Sequence, residues 1–177
     1  MRKIAILIGF MFSALLPSLA EIQYLSFTKG LGDAQDFKTI KKVTESDKYI
    51  DVTYQFEGAK VFQSEEGDRV QMENAHYITT EGEPSLPYYT DMFVVPALEG
   101  IFVEMIDADY QDYESMNIAS SIGEFAVGTT PTVSPTRSAT YEKNLFYPTE
   151  ITKTQNPHLF RGAPLMSVDV FPVHSIN

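Results

Sequence analysis

Apolar and polar residues alternate along two stretches of the chain, residues 49–56 and residues 166–170. The apolar residues are Ile50, Val52, Tyr54 and Phe56 in the first stretch and Met166, Val168 and Val170 in the second. Successive side chains of a strand point to opposite sides of a sheet, so each stretch is predicted to form a half-buried strand. No stretch keeps the three- and four-residue apolar spacing of an amphipathic helix over three turns.

A stretch rich in glycine and proline separates these two strands. Gly82, Pro84 and Pro87 are followed by an apolar run at residues 92–95, which Pro96 ends. Proline fixes its own φ and has no N–H, so a tight turn leading into a strand at a sheet edge is predicted. The next apolar run, residues 101–106, is predicted to pair with residues 92–95 as a hairpin and to be covered on both faces.

These short strands and frequent Gly/Pro turns predict an all-β fold. The expected architecture is an antiparallel sandwich or a partly open barrel. The chain has 177 residues, of which 22 are Phe or Tyr. This length and composition are sufficient for a single domain with its own core.

The first twenty residues have the pattern of a secretory signal peptide. Arg2 and Lys3 precede an apolar run at residues 4–16, and Ala20 is the predicted cleavage residue before Glu21. The apolar run is too short to span a bilayer as a stable helix, so no membrane attachment is expected after cleavage. The signal peptide is followed by residues 21–48, which are predicted to be loosely structured, with one strand at residues 22–27.

The charge and the absence of cysteine exclude several classes of function. The whole chain has a net charge of −11; without Arg2 and Lys3 it has 11 basic and 24 acidic residues, which gives −13. Such a surface repels nucleic acids and anionic lipids, so neither is an expected partner. A chain without cysteine cannot itself be a cysteine peptidase, and it has neither disulfides nor thiolate metal sites.

No catalytic or metal-binding motif is present in the sequence. The three histidines, His76, His158 and His174, are far apart and lack metal-ligand spacing. The acidic cluster at residues 107–112 lacks the glycine of a calcium loop and has Ile118 where its closing glutamate would be. Neither the Gly-x-Ser-x-Gly of serine hydrolases nor the Asp-Thr/Ser-Gly of aspartic peptidases occurs. We therefore expect a non-enzymatic protein without a cofactor or a bound metal.

Residues 123–140 are predicted to form a long exposed loop. They include two Gly, two Pro, five Thr and two Ser, and they have no strand or helix pattern. Loops of this length are usually functional or disordered. Arg137 is the only Lys or Arg between Arg69 and Lys143, so its positive charge stands alone in an acidic part of the chain.

An ordered set of motifs resembles the propeptide domain of gingipain-type secreted cysteine peptidases. The matching positions are Gly82, Pro84, Pro87, Pro96, Tyr141, Pro148, Arg161, Gly162 and Pro172. The resemblance implies that residues 49–177 are this β domain. Family domains continue through a further turn and strand pair, which implies either a truncated chain or an open sheet edge at the strand around Val168. Taken from its residues alone, Arg161 is interpreted as pairing with a local acid beside a turn that needs Gly162, and the alternative is that it binds the carboxylate of a ligand.

The resemblance also implies a role and a partner. Such prodomains cover the cleft of a cysteine peptidase catalytic domain, keep it latent and help it to fold; that domain would lie in the same precursor or on a neighbouring chain. In the family, a long loop places a basic residue in the specificity pocket, and Arg137 is the candidate here. The family position falls nearer Ala126 or Val127, so the alternatives are a shifted anchor, steric cover alone, or a peptidase of another specificity. The alternative hypothesis is that the chain is a free-standing adhesin-like or structural β module.

Overall fold

The computed structural model describes residues 22–28, 36–99, 101–123 and 136–176. The described residues form ten β-strands, and their only helical element is a 3₁₀ turn at Ala139–Glu142. The strands are β1 (Ile22–Ser26), β2 (Thr39–Glu45), β3 (Ile50–Phe56), β4 (Gly58–Ser64), β5 (Gly67–Gln71), β6 (His76–Tyr77), β7 (Pro87–Val94), β8 (Thr152–Thr154), β9 (His158–Phe160) and β10 (Ala163–Val170). Within these ranges, no helix is long and apolar enough to span a membrane.

The strands form three antiparallel sheets. The first has the order β1-β4-β5, the second is the β2-β3 hairpin, and the third has the order β6-β7-β10-β8, with β9 also paired to β10. None of the three closes into a barrel over the described ranges. The all-β, single-domain prediction is therefore confirmed.

Two clusters of buried residues hold the sheets together. The first consists of Leu25, Ala59, Val61, Val70, Met72, Leu86 and Ile118, and the second consists of Val95, Met166, Val168 and Val170. Phe56 of β3 packs against both clusters. The alternation in residues 49–56 therefore marks a face of β3 that packs on the core, through Tyr54 and Phe56. Ile50, at the end of the hairpin, belongs to the same face but is exposed.

A polar contact joins the β2-β3 hairpin to β7 of the third sheet. The ammonium group of Lys41 lies 2.6 Å from Asp91 Oδ1, and the Tyr54 hydroxyl donates a hydrogen bond to the other carboxylate oxygen of Asp91. Burial, and then this hydrogen bond, raise the pKa of Tyr54 above its ordinary value. Beside this group, Thr39 donates to the hydroxyl of Tyr89 at 2.9 Å. These contacts hold the hairpin in place although most of its side chains are exposed.

In its described part, the N-terminal segment 21–48 has the strand predicted at residues 22–27, as β1, and a second strand that was not predicted, β2. It contains β1, which pairs with β4 in the register Leu25↔Ala59, and β2, which pairs with β3. Leu25 is buried in the first cluster. Close approach of β1 depends on Gly58, because a Cβ there would lie 2.2 Å from the carbonyl oxygen of Leu25. The mixed polar composition of the segment did not predict that Leu25 would be buried.

The predicted hairpin of residues 92–95 and 101–106 is wrong. β7 runs from Pro87 to Val94 and pairs with β10, in the register Phe93↔Met166, and with β6. Residues 101–106 form no strand with any described residue, and Phe102 is 92% exposed. The alternation of apolar residues shows that a segment can be a strand, but β10 offers β7 a six-residue register and a buried face that the nearby segment does not.

The strand around Val168 is not an open edge, which corrects the second alternative drawn from the family resemblance. β10 is central in its sheet, with Val168 opposite Asp91 of β7 on one side and opposite Thr154 of β8 on the other. Its backbone is therefore paired along both sides. The strand that supplies the second side, β8, is only three residues long and carries no clear sequence pattern.

Candidate functional site

The turn that begins at Gly82 is anchored in the first core cluster. Pro84, Leu86 and Pro87 are among the largest fully buried side chains. The backbone N–H of Ile78 donates to the carbonyl of Leu86 at 3.0 Å, which closes the turn on the preceding segment. Prolines here cost no hydrogen bonds, because they have no N–H to satisfy in the dry interior. The Gly/Pro motif is thus a rigid, buried base.

The two ends of the predicted loop 123–140 meet at this base. Gly82 N–H donates to Ser121 carbonyl at 2.9 Å, and Ser121 N–H donates to Glu83 carbonyl at 2.7 Å. On the returning side, Ser138 N–H donates to Gly82 carbonyl at 2.9 Å. We call Gly82, Glu83, Ser121 and Ser138 the loop frame. Gly82 is therefore hydrogen-bonded to the chain both before and after the loop.

Gly82 is required in the loop frame for two reasons. Its φ of +81° lies in the left-handed region that side chains disfavour. A Cβ at this position would also lie 2.6 Å from the carbonyl oxygen of Thr136, on the returning chain. The close approach of the two loop ends is therefore possible only because residue 82 has no side chain.

Arg137 is bound to the surface of its own domain just beyond the loop frame. Its Nη2 donates to Asn117 Oδ1 at 2.7 Å and to the Ile118 carbonyl at 3.3 Å. The guanidinium carbon lies 4.5 Å from the centre of the Tyr141 ring, and the Tyr141 hydroxyl donates to the same Ile118 carbonyl at 3.1 Å. Arg137 remains exposed, so these contacts hold the side chain without burying its charge.

The loop frame includes one partly buried carboxylate, that of Glu83. Glu83 Oε2 is buried and has no hydrogen-bond partner among the described residues. Burial, followed by the charge of Glu83, raises the pKa of Tyr147 to about 12. Burial also raises the pKa of Tyr141, while the positive charge of Arg137 opposes that rise. This environment favours neutral tyrosines.

The other predicted family positions serve the fold at different places. Arg161 and Gly162 form the turn between β9 and β10, with φ of 51° and 86°. Arg161 lies over the Phe160 ring at 5.4 Å and forms no ion pair with a described acid, so the acid pairing expected from the sequence is wrong. Pro172 follows β10, and the nearby His174 contacts the carbonyl oxygen of Pro148 through Nδ1 at 2.7 Å. The structure therefore brings Gly82, Pro84, Pro87, Arg137 and Tyr141 together at the loop frame. Of the remaining positions, Pro96 and Pro148 lie in bends and Arg161 and Gly162 in a turn, while Pro172 lies in the irregular segment after β10.

Some predicted positions lie outside the described residues. These are the cleavage residues Ala20 and Glu21 and the loop positions Ala126 and Val127. Among the described residues, no group of three His, Cys, Asp or Glu side chains could hold a metal ion. The sequence reasoning missed Asn117, Ser121 and Glu83, because their contacts are made with backbone or with residues far along the chain. The only sequence signal for the frame was the Gly-x-Pro motif itself.

Comparison with known proteins identifies a family and solved structures of similar fold. The family model Propeptide_C25 matches residues 39–176. The structure of the complex of the pro- and mature domains of RgpB from Porphyromonas gingivalis is 16% identical, with a TM-score of 0.56, covering 91% of this chain and 73% of that one. A structure concerning the zymogenic latency of gingipain K from Porphyromonas gingivalis is 17% identical, with a TM-score of 0.68 and 88% of each chain covered. No curated protein matches the chain.

Proposed function

Because the chain belongs to the Propeptide_C25 family, we propose that it is the prodomain of a gingipain-type cysteine peptidase and keeps that peptidase latent by covering its cleft. The family match over residues 39–176 is the observation that carries this proposal. The catalytic residues belong to the peptidase, since this chain has no cysteine. The partner is a cysteine peptidase catalytic domain from the same precursor or a neighbouring chain.

The loop frame supports a role in presenting a segment to a cleft. Three backbone hydrogen bonds of 2.7–2.9 Å hold the two ends of the loop at one rigid turn. Holding the ends lowers the entropy that a loop would lose on binding, which is the general way in which inhibitors gain affinity. The same rigid surface can act as a template for the peptidase, which is how the folding-aid role would operate.

The proposal includes export of the protein. Residues 1–20 have the pattern of a signal peptide with cleavage between Ala20 and Glu21, and they lie outside the described residues. The acidic chain fits a secreted, periplasmic or cell-surface protein that stays soluble and meets a basic partner. Residues 49–177 correspond to the proposed β domain, and the family model begins ten residues earlier, at residue 39.

The inhibition itself is the first prediction. Residues 21–177, purified and mixed with the catalytic domain of the peptidase encoded in the same precursor or beside it, are expected to abolish peptide hydrolysis at a molar ratio of one to one. A cysteine peptidase of unrelated fold serves as the control and should keep its activity. Full activity of the cognate peptidase at a saturating concentration of the prodomain would contradict the proposal. It would favour the alternative function, an adhesin-like or structural β module.

Arg137 is proposed to act in this inhibition by fixing the returning end of the loop. We expect Arg137→Ala to weaken inhibition about three- to tenfold, since the lost contacts to Asn117 and Ile118 are together equivalent to about 1 kcal/mol. Asn117→Ala removes one of these two contacts from the other side and is expected to weaken inhibition in the same direction by a smaller factor. Inhibition constants of both variants check this.

The pair of variants also tests the role that the sequence suggested for Arg137. A residue that enters a specificity pocket as a charge-paired anchor typically loses roughly 2–4 kcal/mol on truncation, about 30- to 1,000-fold in inhibition. A loss of that size for Arg137→Ala, with Asn117→Ala unchanged, would make Arg137 the inhibitory residue. A change below about threefold in both variants would leave Arg137 without a role in inhibition.

A further inference from the structure

Residues 101–114 form an exposed strip that runs between the two core clusters. The backbone passes from residue 101 to residue 114 without a turn, a bend or a backbone hydrogen bond to any described residue. Its ends are held: Ile101 packs against the second cluster, and the Tyr113 hydroxyl donates to the Ser26 carbonyl at 2.7 Å. The strip is therefore fixed at both ends, while between them the backbone makes only a local contact with a described residue, from the Ala108 N–H to Asp107 Oδ1 of the preceding residue at 2.9 Å.

Large apolar residues of this strip are exposed at regular intervals. Phe102 is 92% exposed, Ile106 84% and Tyr110 72%. These residues are four apart, so in an extended chain all three point to the same side. A solitary exposed apolar residue needs no explanation, but three large ones aligned on one side of an unpaired segment indicate a surface for a partner.

The negative charge of the strip indicates what kind of partner would bind it. It carries five acidic residues and no basic one, and none of its carboxylates forms an ion pair with a described residue; the five are Glu104, Asp107, Asp109, Asp112 and Glu114. Pairing of two copies would bring carboxylates against carboxylates, which is destabilising across strands. The same charges protect an unpaired segment against self-association. The charge of the strip would therefore attract a basic partner and repel a second copy of the chain.

We propose that residues 102–112 are a docking strand for the peptidase. The peptidase pairs one of its own exposed strands with these residues, and that strand carries Lys or Arg side chains beside apolar ones. Backbone hydrogen bonds between the two strands supply affinity, and pockets for Phe102, Ile106 and Tyr110 supply specificity. This surface is separate from the loop frame, so the prodomain holds the peptidase at two places. The inference rests on the proposed function, because that function names the peptidase as partner.

The test combines hydrogen exchange with variants of the strip. In the free prodomain, the backbone amides of residues 102–112 are expected to exchange within seconds to minutes, and in the complex with the peptidase catalytic domain their exchange is expected to slow by at least about a hundredfold. The double variant Phe102→Ser/Ile106→Ser is expected to weaken inhibition by at least about tenfold. The control Leu145→Ser/Leu159→Ser removes two other exposed apolar residues, 62% and 60% exposed, and is expected to stay within about threefold of wild type.

A charge test uses the same assay. Asp107→Lys/Asp109→Lys is expected to weaken inhibition by at least about tenfold at low salt, with a smaller loss at high salt. All variants change exposed residues, so thermal unfolding should match wild type and rule out misfolding as the cause.

Three results would overturn the proposal. The first is normal inhibition by the Phe102/Ile106 variant together with unprotected amides in the complex, which would leave the proposed function intact. The second is amide protection already in the free prodomain at low concentration, which would show that the strip pairs within its own chain. The third is a concentration-dependent dimer that the double variant abolishes. If wild-type prodomain fails to inhibit at all, the proposed function itself is wrong, and this inference is overturned with it.

Discussion

Replacing Val168 by aspartate is expected to destabilise the domain by about 3–5 kcal/mol, a large part of the roughly 5–15 kcal/mol that holds a domain folded. Val168 is buried in the centre of β10 and packs in the second core cluster. The new carboxylate would be removed from water without a partner. It would also lie directly opposite Asp91 of β7, on the same face of the sheet, so two like charges would meet.

The measurement is urea unfolding followed by far-ultraviolet circular dichroism. Val168→Ala is the matched control for lost volume and is expected to be destabilised less than Val168→Asp. Met92→Asp places the same charge on the exposed side of the neighbouring strand, where 68% of the methionine is accessible, and is expected to change stability by less than about 0.5 kcal/mol. Near-normal stability of Val168→Asp would contradict the central, buried position of β10. A spectrum dominated by helix would contradict the all-β fold.

Replacing Gly82 by alanine is expected to cost about 2–3 kcal/mol and to open the loop frame. The alanine would have to adopt a φ of +81° and would place its Cβ 2.6 Å from the carbonyl oxygen of Thr136. The returning chain must move to relieve this clash, and the hydrogen bond from Ser138 to Gly82 is then lost. We expect the domain to remain folded under native conditions but to inhibit the peptidase at least about tenfold less well, since the loop ends are no longer held together.

Limited proteolysis within residues 123–140 and the inhibition constant check this prediction. Gly162→Ala is the matched control, because Gly162 also has a positive φ, 86°, but no atom lies within 4 Å of the Cβ position. It should show the backbone strain without the clash, and inhibition should stay within about threefold of wild type. Equal loss of inhibition in the two variants would mean that the contact between Gly82 and Thr136 does not hold the loop.

Local pattern was a good guide to which residues form strands. The alternation in residues 49–56 corresponds to β3 at Ile50–Phe56, and the alternation in residues 166–170 lies within β10. The Gly/Pro motif correctly indicated a tight turn before a strand, although β7 begins earlier than predicted, at Pro87. These features depend on the side-chain period and on φ restrictions, both of which are properties of a few consecutive residues.

The candidate site was only partly accessible from the sequence. The unusual composition of residues 123–140 and the lone charge of Arg137 marked the region. The loop frame was invisible, because its hydrogen bonds join backbone groups of Gly82 to Ser121 and Ser138, which lie about 40 and 55 residues further along the chain. The backbone N–H and C=O are identical in almost every residue, so such pairing carries no side-chain signature.

By itself, the sequence determined the all-β class, the positions of its main strands and the family, through an ordered set of Gly, Pro, Tyr and Arg positions. Only the tertiary structure decided that β7 pairs with β10 and not with residues 101–106, and that Val168 lies in a central strand. The physical reason is that an apolar period reports that one face of a strand will be buried, whereas the choice of partner depends on the packing of distant segments. The same packing left Phe102 and Ile106, which pattern alone would place in the core, exposed on the surface.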